Sequence, residues 1–298
     1  MGDLETFLGL RASLFGVAYR MLGSATEAED VVQEAYLRWS GRAGGDVAAP
    51  SAYVTTIVTR LCIDQLRSAR VNRETYKGPW LPEPVEAHSP EPGESAELAD
   101  SLSLAFLVLL EELQPVERAA FLLHDVFDYP YDEIAGIVDR SEAACRQLVS
   151  RARRRVDEPR QRFDADRAHG REMTRRFLAA CGTGDLDGLL ALLSDDVIVW
   201  TDGGGQVRAA LRPVTGPHRA ARFLLSVARK FPAGASSREV DLNGQPGLVF
   251  EVEGRVTVAL TLDVVDDRVV GVRVVTNPDK LVALQPARRA RLADLFLR

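Results

Sequence analysis

The segment Tyr131–Arg155, which reads YDEIAGIVDRSEAACRQLVSRARRR, predicts two short helices joined by a tight turn. Residues 132–138 form the first helix, with a small residue at the point where a second helix must approach. Residues 139–140 supply the turn. Ser141 can cap the second helix, and Glu142 favours the positive end of its dipole. The pattern is typical of a helix-turn-helix.

The second helix of this pair has one apolar face and one basic face. Ala144, Leu148 and Ala152 recur at helical spacing, so we expect them to pack inward. Short polar groups near the start of such a helix suit base edges, and cations further along suit phosphates. The candidate DNA-reading residues are Ser141, Glu142, Arg146, Gln147, Ser150, Arg151, Arg153 and Arg154. A solvated basic helix in an arginine-rich protein is the alternative.

Composition places the chain among globular proteins of two or three domains. It has 298 residues, of which 46% are hydrophobic and 27% charged, with a formal net charge of −6. No apolar run approaches the ~20 residues of a membrane-spanning helix, and the acidic start lacks a signal peptide. We therefore expect a cytoplasmic protein with no membrane partner.

The cysteines do not predict a metal or disulfide framework. Cys62, Cys145 and Cys181 are far apart, and none has a second cysteine or a histidine at ligand spacing. No nucleotide or dinucleotide motif surrounds the glycine run at 203–205. We expect no cofactor and no metal.

The first 75 residues are predicted to be helical. Three helices are expected, at about Leu4–Leu22, from a Ser24 cap to about Ser40, and at about Ser51–Arg73. The second leaves Asp30, Gln33, Glu34 and Leu37 on its outer faces, as any amphipathic helix would. The third carries Arg60, Arg67, Arg70 and Arg73 against a single acid, Asp64. Such a basic rim is able to hold single-stranded DNA.

The chain changes character after the third helix. Residues 81–100 contain six acidic residues and four prolines but no lysine or arginine, which predicts a flexible acidic linker. Helices resume at about 99–113, and Pro115 suits the first turn of another that ends near Phe127.

The last part, from about Asp164, predicts an α+β domain. Helices are expected at about 168–182, 185–193 and 218–231, and strands at 197–200, 248–252, 256–264 and 268–275. This order indicates helices packed on a curved antiparallel sheet.

Several segments together resemble a known family. LFGVAYRML (14–22), AEDVVQE (28–34) and TRLCIDQLR (59–67) are similar to the N-terminal domain of extracytoplasmic-function (ECF) sigma factors, and LQPVER (113–118) with the helix-turn-helix is similar to their second domain. YKGPWLPEP (76–84), DGGG (202–205) and NPDKL (277–281) resemble the motifs of a SigJ-like subgroup with a fused SnoaL-like domain. Gln206 stands where the subgroup has lysine after the glycines.

The resemblance implies a multi-domain fold: two all-α domains, the second with the helix-turn-helix, and a C-terminal α+β SnoaL-like (NTF2-like) cone-shaped domain. The implied boundaries are 1–75 for region 2, 76–98 for the linker, 99–160 for region 4 and 164–298 for the regulatory domain. The implied function is to direct core RNA polymerase to promoters, with activity modulated by the C-terminal domain.

The resemblance also assigns roles to the candidate residues. Asp30, Gln33, Glu34 and Leu37 would bind the β′ clamp helices of RNA polymerase. Arg60, Asp64, Arg67, Arg70 and Arg73 would act at the −10 element of promoter DNA, and the helix from Ser141 would read the −35 element. A small-molecule ligand of the C-terminal pocket is left unidentified.

We further expect three rigid motifs to lie against each other and regulate the chain. Their residues are Trp80, Leu81 and Pro82 in the linker, Asp202, Gly203, Gly204 and Gly205, and Asn277, Pro278, Asp279, Lys280 and Leu281. Prolines limit the entropy that Trp80 would lose on docking.

Two other functions compete with this interpretation. A one-component regulator would join the helix-turn-helix to a ligand sensor and bind duplex DNA without polymerase. A working enzyme would need a placed acid–base pair in the C-terminal domain. Asp195, Asp196, Trp200, Asp202 and His218 qualify for that pair only by residue type.

Overall fold

The computed structural model describes residues 3–41, 47, 49–86, 101–160, 167–286 and 288. Within these residues, seven helices are found in the first part: α1 Asp3–Leu22, α2 Ala25–Ser40, α3 Pro50–Glu74, α4 Leu104–Leu110, α5 Pro115–Phe121, α6 Tyr131–Val138 and α7 Glu142–Arg160. A single π-helical turn, Leu122–Val126, extends α5. The predicted long helix over 99–113 is shorter where it is described, because Ser103 caps α4 and the helix ends at Leu110.

The helices form two units, α1 to α3 and α4 to α7, which share one hydrophobic core. α1, α2 and α3 pack on one another, and α5, α6 and α7 do the same. A single buried cluster then joins the units, with Val58 of α3 and Ile137 of α6 both inside it. Helices that expose an apolar stripe must bury it, and here each unit buries part of its stripe against the other.

The C-terminal part is a mixed sheet with helices on one face. Its elements are α8 Arg167–Thr183, α9 Leu186–Leu192, β1 Leu193–Asp202, β2 Val214–Thr215, α10 Pro217–Ala228, β3 Ser236–Leu242, β4 Gln245–Val252, β5 Arg255–Val265 and β6 Arg268–Val275. The strand order is β2-β1-β6-β5-β4-β3. Met173 of α8 and Leu224 of α10 pack on this sheet with Leu260 and Val274, which point to the same face.

The expectation of an antiparallel sheet is wrong for one strand pair. β1 runs parallel to β6, with Val199 opposite Val272, while the other pairs are antiparallel. Between β1 and β6 the chain forms one helix and four strands, and this long path permits a parallel neighbour. The strands β2 and β3 were not predicted.

The expectation of a flexible linker is also wrong for its first half. Residues 81–86 are extended and cross the other face of the sheet, where Leu81 packs with Val249 and Val275. Val85 is 1% exposed, in the helical core. Acidic composition did not prevent burial, because apolar residues alternate with the acids here. Residues 87–100 lie outside the described part.

In the described ranges no helix is long and apolar enough to cross a membrane. Two short 3-10 turns, Pro278–Lys280 and Val282–Leu284, end the described C-terminal part. They bring residues 277–284 back to the linker.

Candidate functional site

The face of α2 that carries the predicted polymerase contacts is open. Asp30, Gln33 and Leu37 are exposed, and Leu37 keeps 56% of its surface in solvent. Glu34 pairs with Arg38 one turn later, at 2.9 Å. The residues lie on one stripe because they recur at helical spacing.

A groove beside this stripe separates α1 from α2. It has a volume of about 620 Å³, and Leu4, Leu8, Asp30 and Gln33 are among its lining residues. Arg288 lies at its edge and pairs with Glu29 of α2 at 2.7 Å. The chain beyond the sheet domain therefore reaches the first helical unit.

The predicted −10 residues on α3 are in different environments. Arg60 donates from Nε to the Ile137 carbonyl at 3.0 Å and from a terminal nitrogen to the Gly136 carbonyl at 2.9 Å. These carbonyls end α6, so the cation sits at the negative end of that helix dipole. Asp64 and Arg67 are exposed and lie 3.4 Å apart. The side chains of Arg70 and Arg73 lie outside the described part.

The helix-turn-helix has the expected turn. α6 ends at Val138, Asp139 adopts a left-handed φ of 56°, and α7 starts at Glu142. The Ser141 hydroxyl accepts a hydrogen bond from the Ala144 N–H at 3.3 Å, as a capping residue does.

The predicted inward face of α7 is rotated by part of a turn. The buried residues are Cys145, Val149, Ala152 and Val156, whereas Ala144 and Leu148 are only partly covered. The sequence contains two overlapping apolar stripes, one through Ala144 and Leu148 and one through Cys145 and Val149. The second stripe faces α5 and α6 and is the buried one. Glu142, Gln147, Ser150 and Arg154 remain exposed.

Several arginines of α7 are engaged with acids of the same unit. Arg146 pairs with Glu142 at 2.8 Å and lies 5.0 Å from the Tyr131 ring centre. Arg153 makes two bonds to Asp125, at 2.7 and 2.8 Å. Arg151 lies 3.8 Å from Glu117. The arginine side chains of these pairs are about half exposed, so phosphates are able to reach these cations.

The three rigid motifs meet at Asp202, at the end of β1. Its carboxylate is 1% exposed and accepts from the Leu81 N–H at 2.8 Å, from the Tyr76 hydroxyl at 2.5 Å and from Lys280 Nζ at 2.7 Å. Asn277 donates to the Tyr76 oxygen at 3.0 Å. We call this group of five residues the linker lock.

Lys280 completes the linker lock from the other side. Its ammonium group donates to the Leu81 carbonyl at 2.5 Å and lies 4.2 Å from the Trp80 ring centre. An ammonium over an indole face is attractive, and more so when both are shielded from water. Burial and the neighbouring Asp202 carboxylate raise the pKa of Tyr76 well above its usual value. The phenol therefore stays protonated and keeps donating.

The glycines of the second motif allow this close approach. Gly204 has a φ of +59°, and a Cβ there would meet the Asn277 amide at 2.3 Å. Gln206, in the place of the subgroup's lysine, bonds to Asp279. That contact ties the second motif directly to the third.

A second junction was missed from the sequence. Asn243, in the β3–β4 turn, accepts from the Val85 N–H at 3.0 Å and donates to the Tyr19 hydroxyl at 2.6 Å and the Leu102 carbonyl at 3.0 Å. One side chain thus contacts the linker and both helical units. The pair Asn-Gly at 243–244 is a strong hairpin signal and would have revealed the turn, though not its contacts.

The helical units are also joined through buried polar groups. Arg118 of α5 donates to the Met21 carbonyl of α1 at 2.7 Å and pairs with Glu111 at 2.8 Å. Burial lowers the pKa of Arg118 to about 9. Glu83 of the linker accepts from Ser24 and from the Thr26 N–H at the start of α2, where a carboxylate is favoured.

The residues named as catalytic candidates do not form one site. Asp195, Asp196 and His218 are exposed, and Asp202 belongs to the linker lock. The Arg273 guanidinium lies over the Trp200 indole, 4.7 Å from the centre of that ring. Within the described ranges, no cluster of three or more side chains is suited to hold a metal ion.

The chain matches two sigma-70 family descriptions: "Sigma-70 region 2" over residues 7–71 and "Sigma-70, region 4" over residues 103–156. It is 38% identical to the ECF RNA polymerase sigma factor SigJ of Mycobacterium tuberculosis H37Rv, over 97% of this chain and 98% of that protein. A probable ECF sigma factor, SigI of M. tuberculosis CDC 1551, is 32% identical over 92% of this chain and 93% of its own length.

A solved structure agrees with these relatives. The crystal structure of M. tuberculosis SigJ superposes with a TM-score of 0.75 at 36% identity, covering 94% of this chain and 98% of that one. The match includes the helical units and the C-terminal sheet domain together, which favours an initiation factor over a one-component regulator. The chain therefore belongs to the ECF sigma factors, as a SigJ-like member with a C-terminal sheet domain, and it directs RNA polymerase to promoters to initiate transcription.

Proposed function

We propose that the C-terminal domain holds this sigma factor in a closed form, with the linker lock as its restraint. The proposal includes the division of the chain into region 2 (1–75), the linker (76–98), region 4 (99–160) and the C-terminal domain (164–298). One observation carries it: the unit assigned to the −10 element and the unit assigned to the −35 element pack directly on each other, with Arg60 bound to the end of α6.

Promoter geometry does not fit the closed form. Elements named −10 and −35 lie about 25 base pairs apart, which is roughly 85 Å of duplex at about 3.4 Å per base pair. In this structure Arg60 of the first unit lies 3.0 Å from a carbonyl of the helix-turn-helix. The two units must separate before both elements are bound.

The linker is the segment that separation has to extend. Its first half is held at three places: Tyr76 and Leu81 by Asp202, Val85 by Asn243, and Glu86 by Arg238 at 3.2 Å. Two DNA readers on one tether gain affinity only when the tether spans their sites. Holding the tether on the sheet removes that gain.

Core polymerase is the natural trigger for opening, because its contact face remains available. We propose that the exposed stripe Asp30, Gln33, Glu34 and Leu37 binds the β′ clamp helices. Arg60, Asp64, Arg67, Arg70 and Arg73 then act at the −10 element. The α7 residues Ser141, Glu142, Arg146, Gln147, Ser150, Arg151, Arg153 and Arg154 act at the −35 element. Polymerase is cytoplasmic, so we place this protein there too.

We also propose that the C-terminal domain regulates and does not catalyse. Acid–base catalysis needs two titratable groups placed together at a substrate. Asp195, Asp196 and His218 face solvent, and Asp202 already accepts bonds from Tyr76, Leu81 and Lys280. This distribution supports a binding domain.

Run-off transcription with core polymerase tests the closed form. Lys280→Met removes the cation from the linker lock and keeps an apolar stem, and exposed Lys230→Met is the matched control. A change of about 1.4 kcal/mol in the closing equilibrium raises the open population about tenfold. We expect more transcript from Lys280→Met and wild-type levels from Lys230→Met. A folded Lys280→Met protein with unchanged or lower output would contradict the proposal.

A further inference from the structure

The sheet domain contains a cavity that is separate from the linker lock. It has a volume of about 270 Å³ and lies between the helices and the sheet. Apolar side chains dominate its lining, among them Phe177 and Leu178 of α8, Phe223 and Val227 of α10, Phe250 of β4 and Val258 of β5. Protein interiors are close-packed, with few voids larger than a water molecule, so packing alone does not account for this space.

The hydroxyl groups of the inner wall have partners in the protein. Thr201 donates to the Ala210 carbonyl at 3.2 Å and accepts from the Ala210 N–H at 2.8 Å. Thr276 donates to the Asp202 carbonyl at 3.1 Å. Cys181 also lines the cavity, and burial raises the pKa of its thiol to about 12, so the thiol is neutral. The interior therefore suits an apolar body.

The open side has a different character. Arg208 lines the cavity, is exposed, and within the described ranges makes no ion pair. No aspartate, glutamate or histidine is among the lining residues. Exposed Ser236 and Ser237 add neutral hydroxyl groups. A single cation at the edge of an apolar cavity is complementary to a ligand with one anionic end.

The wall that carries Arg208 is held in place before any ligand arrives. The two Thr201–Ala210 bonds close the loop of residues 202–210 onto β1. The other side of this loop contacts the linker, where Leu211 Cα is 3.7 Å from a Cβ built on Gly78. A preformed site loses little conformational freedom on binding.

We propose that this cavity binds a small apolar molecule that carries one carboxylate, with the apolar body between α8, α10 and the sheet and the carboxylate on Arg208. The volume equals that of roughly nine water molecules at about 30 Å³ each, which suits a chain of about ten non-hydrogen atoms. A medium-chain carboxylic acid has this size and charge.

Calorimetric titration of the full-length protein with sodium octanoate tests the proposal, with 1-octanol as the neutral probe of equal chain length. We expect saturable octanoate binding and octanol binding that is about threefold to fivefold weaker, because an exposed ion pair is worth up to about 1 kcal/mol. Arg208→Gln should weaken octanoate binding by a similar factor and leave octanol unchanged. Arg212→Gln, an exposed arginine outside the cavity, should change neither.

A larger side chain at Cys181 locates the bound probe. Cys181 is partly accessible and lines the cavity. Cys181→Phe takes up part of the cavity, so it should weaken the binding of octanoate and of octanol, and urea unfolding checks that the variant is folded. The proposal is overturned if octanoate does not bind, if octanol binds as tightly, if Arg208→Gln binds like the wild type, or if a folded Cys181→Phe protein binds octanoate as tightly as the wild type.

Discussion

Gly23 shows how a single residue connects the end of a helix to the linker. It follows α1 with a φ of +67°, and its N–H bonds to the Tyr19 carbonyl at 2.7 Å. Its carbonyl accepts from the Glu83 N–H of the linker at 2.8 Å. A Cβ at this position would lie 2.8 Å from the Trp80 ring. Two separate reasons therefore favour glycine at this position: the left-handed backbone conformation and the close approach of the Trp80 ring.

Gly184→Ala offers a matched comparison for Gly23→Ala. Gly184 has a similar φ of +73°, but nothing lies within 4 Å of a built Cβ. Both changes should cost about 1 kcal/mol from the left-handed backbone. Gly23→Ala should cost about 1–3 kcal/mol more, because it must displace Trp80. Urea unfolding measures the difference, and run-off transcription should rise for Gly23→Ala alone. Equal losses of stability would show that Trp80 does not press on this site.

At the scale of elements, the β3–β4 hairpin turn is a joint between three parts of the chain. Asn243 has a φ of 54°, and Gly244 one of 75°, the conformation of a tight two-residue turn. The Asn243 side chain leaves the turn and bonds to Tyr19, Val85 and Leu102. Turn geometry and these side-chain contacts therefore depend on different atoms of one residue, and they are separable by mutation.

Asn243→Gly separates them. Glycine adopts the same φ, so the hairpin should remain, together with the bond from the backbone N–H of residue 243 to the Val85 carbonyl at 2.9 Å. Only the side-chain bonds to Val85, Tyr19 and Leu102 are lost. Glu253→Gly is the control, since Glu253 is exposed with a φ of 51° in the next turn of the same kind. We expect faster hydrogen exchange at Val85 in Asn243→Gly, because its N–H loses its acceptor, and wild-type exchange in Glu253→Gly. Unchanged exchange in both would mean that the apolar contacts suffice.

Sequence reasoning was most successful where local signals agree with packing. The boundaries of α6 and the Ser141 cap followed from short-range patterns, and β6 was predicted over its full length. The inward face of α7 was misjudged because two apolar stripes compete along that helix, and only the neighbouring helices decide between them. The parallel β1–β6 pair and the burial of Leu81 depend on partners distant in sequence. Motif resemblance brought Asp202, Asn277 and Lys280 to attention, but no local pattern indicated the interdomain contacts of Asn243 or Arg118.

At the scale of the whole molecule, the closed form combines strong and weak restraints. The shared helical core and the bond from buried Arg118 to the Met21 carbonyl join the two units and are costly to break, since a hydrogen bond to a charged group is worth about 1.5–3 kcal/mol. The partly exposed pair of Arg288 with Glu29, which ties the chain beyond the sheet domain to α2, is worth less. Opening therefore requires a partner that gains more than the shared core loses, and extensive contacts with polymerase and DNA are able to supply that.

Single-molecule energy transfer measures the opening directly. Dyes on exposed Ser13→Cys of α1 and Glu133→Cys of α6, in a Cys181→Ser background, report the separation of the two helical units, since Cys62 and Cys145 are buried. The protein alone should give one high-efficiency population because the units share a core. Core polymerase with promoter DNA should shift it to low efficiency, as the units move toward the roughly 85 Å between the two elements.

A control pair of dyes on Ser13→Cys and exposed Ser51→Cys, both in the first unit, should keep the same transfer efficiency. High efficiency persisting in a transcribing complex would mean that the two units read DNA while still packed together, and the closed form would then have no regulatory meaning.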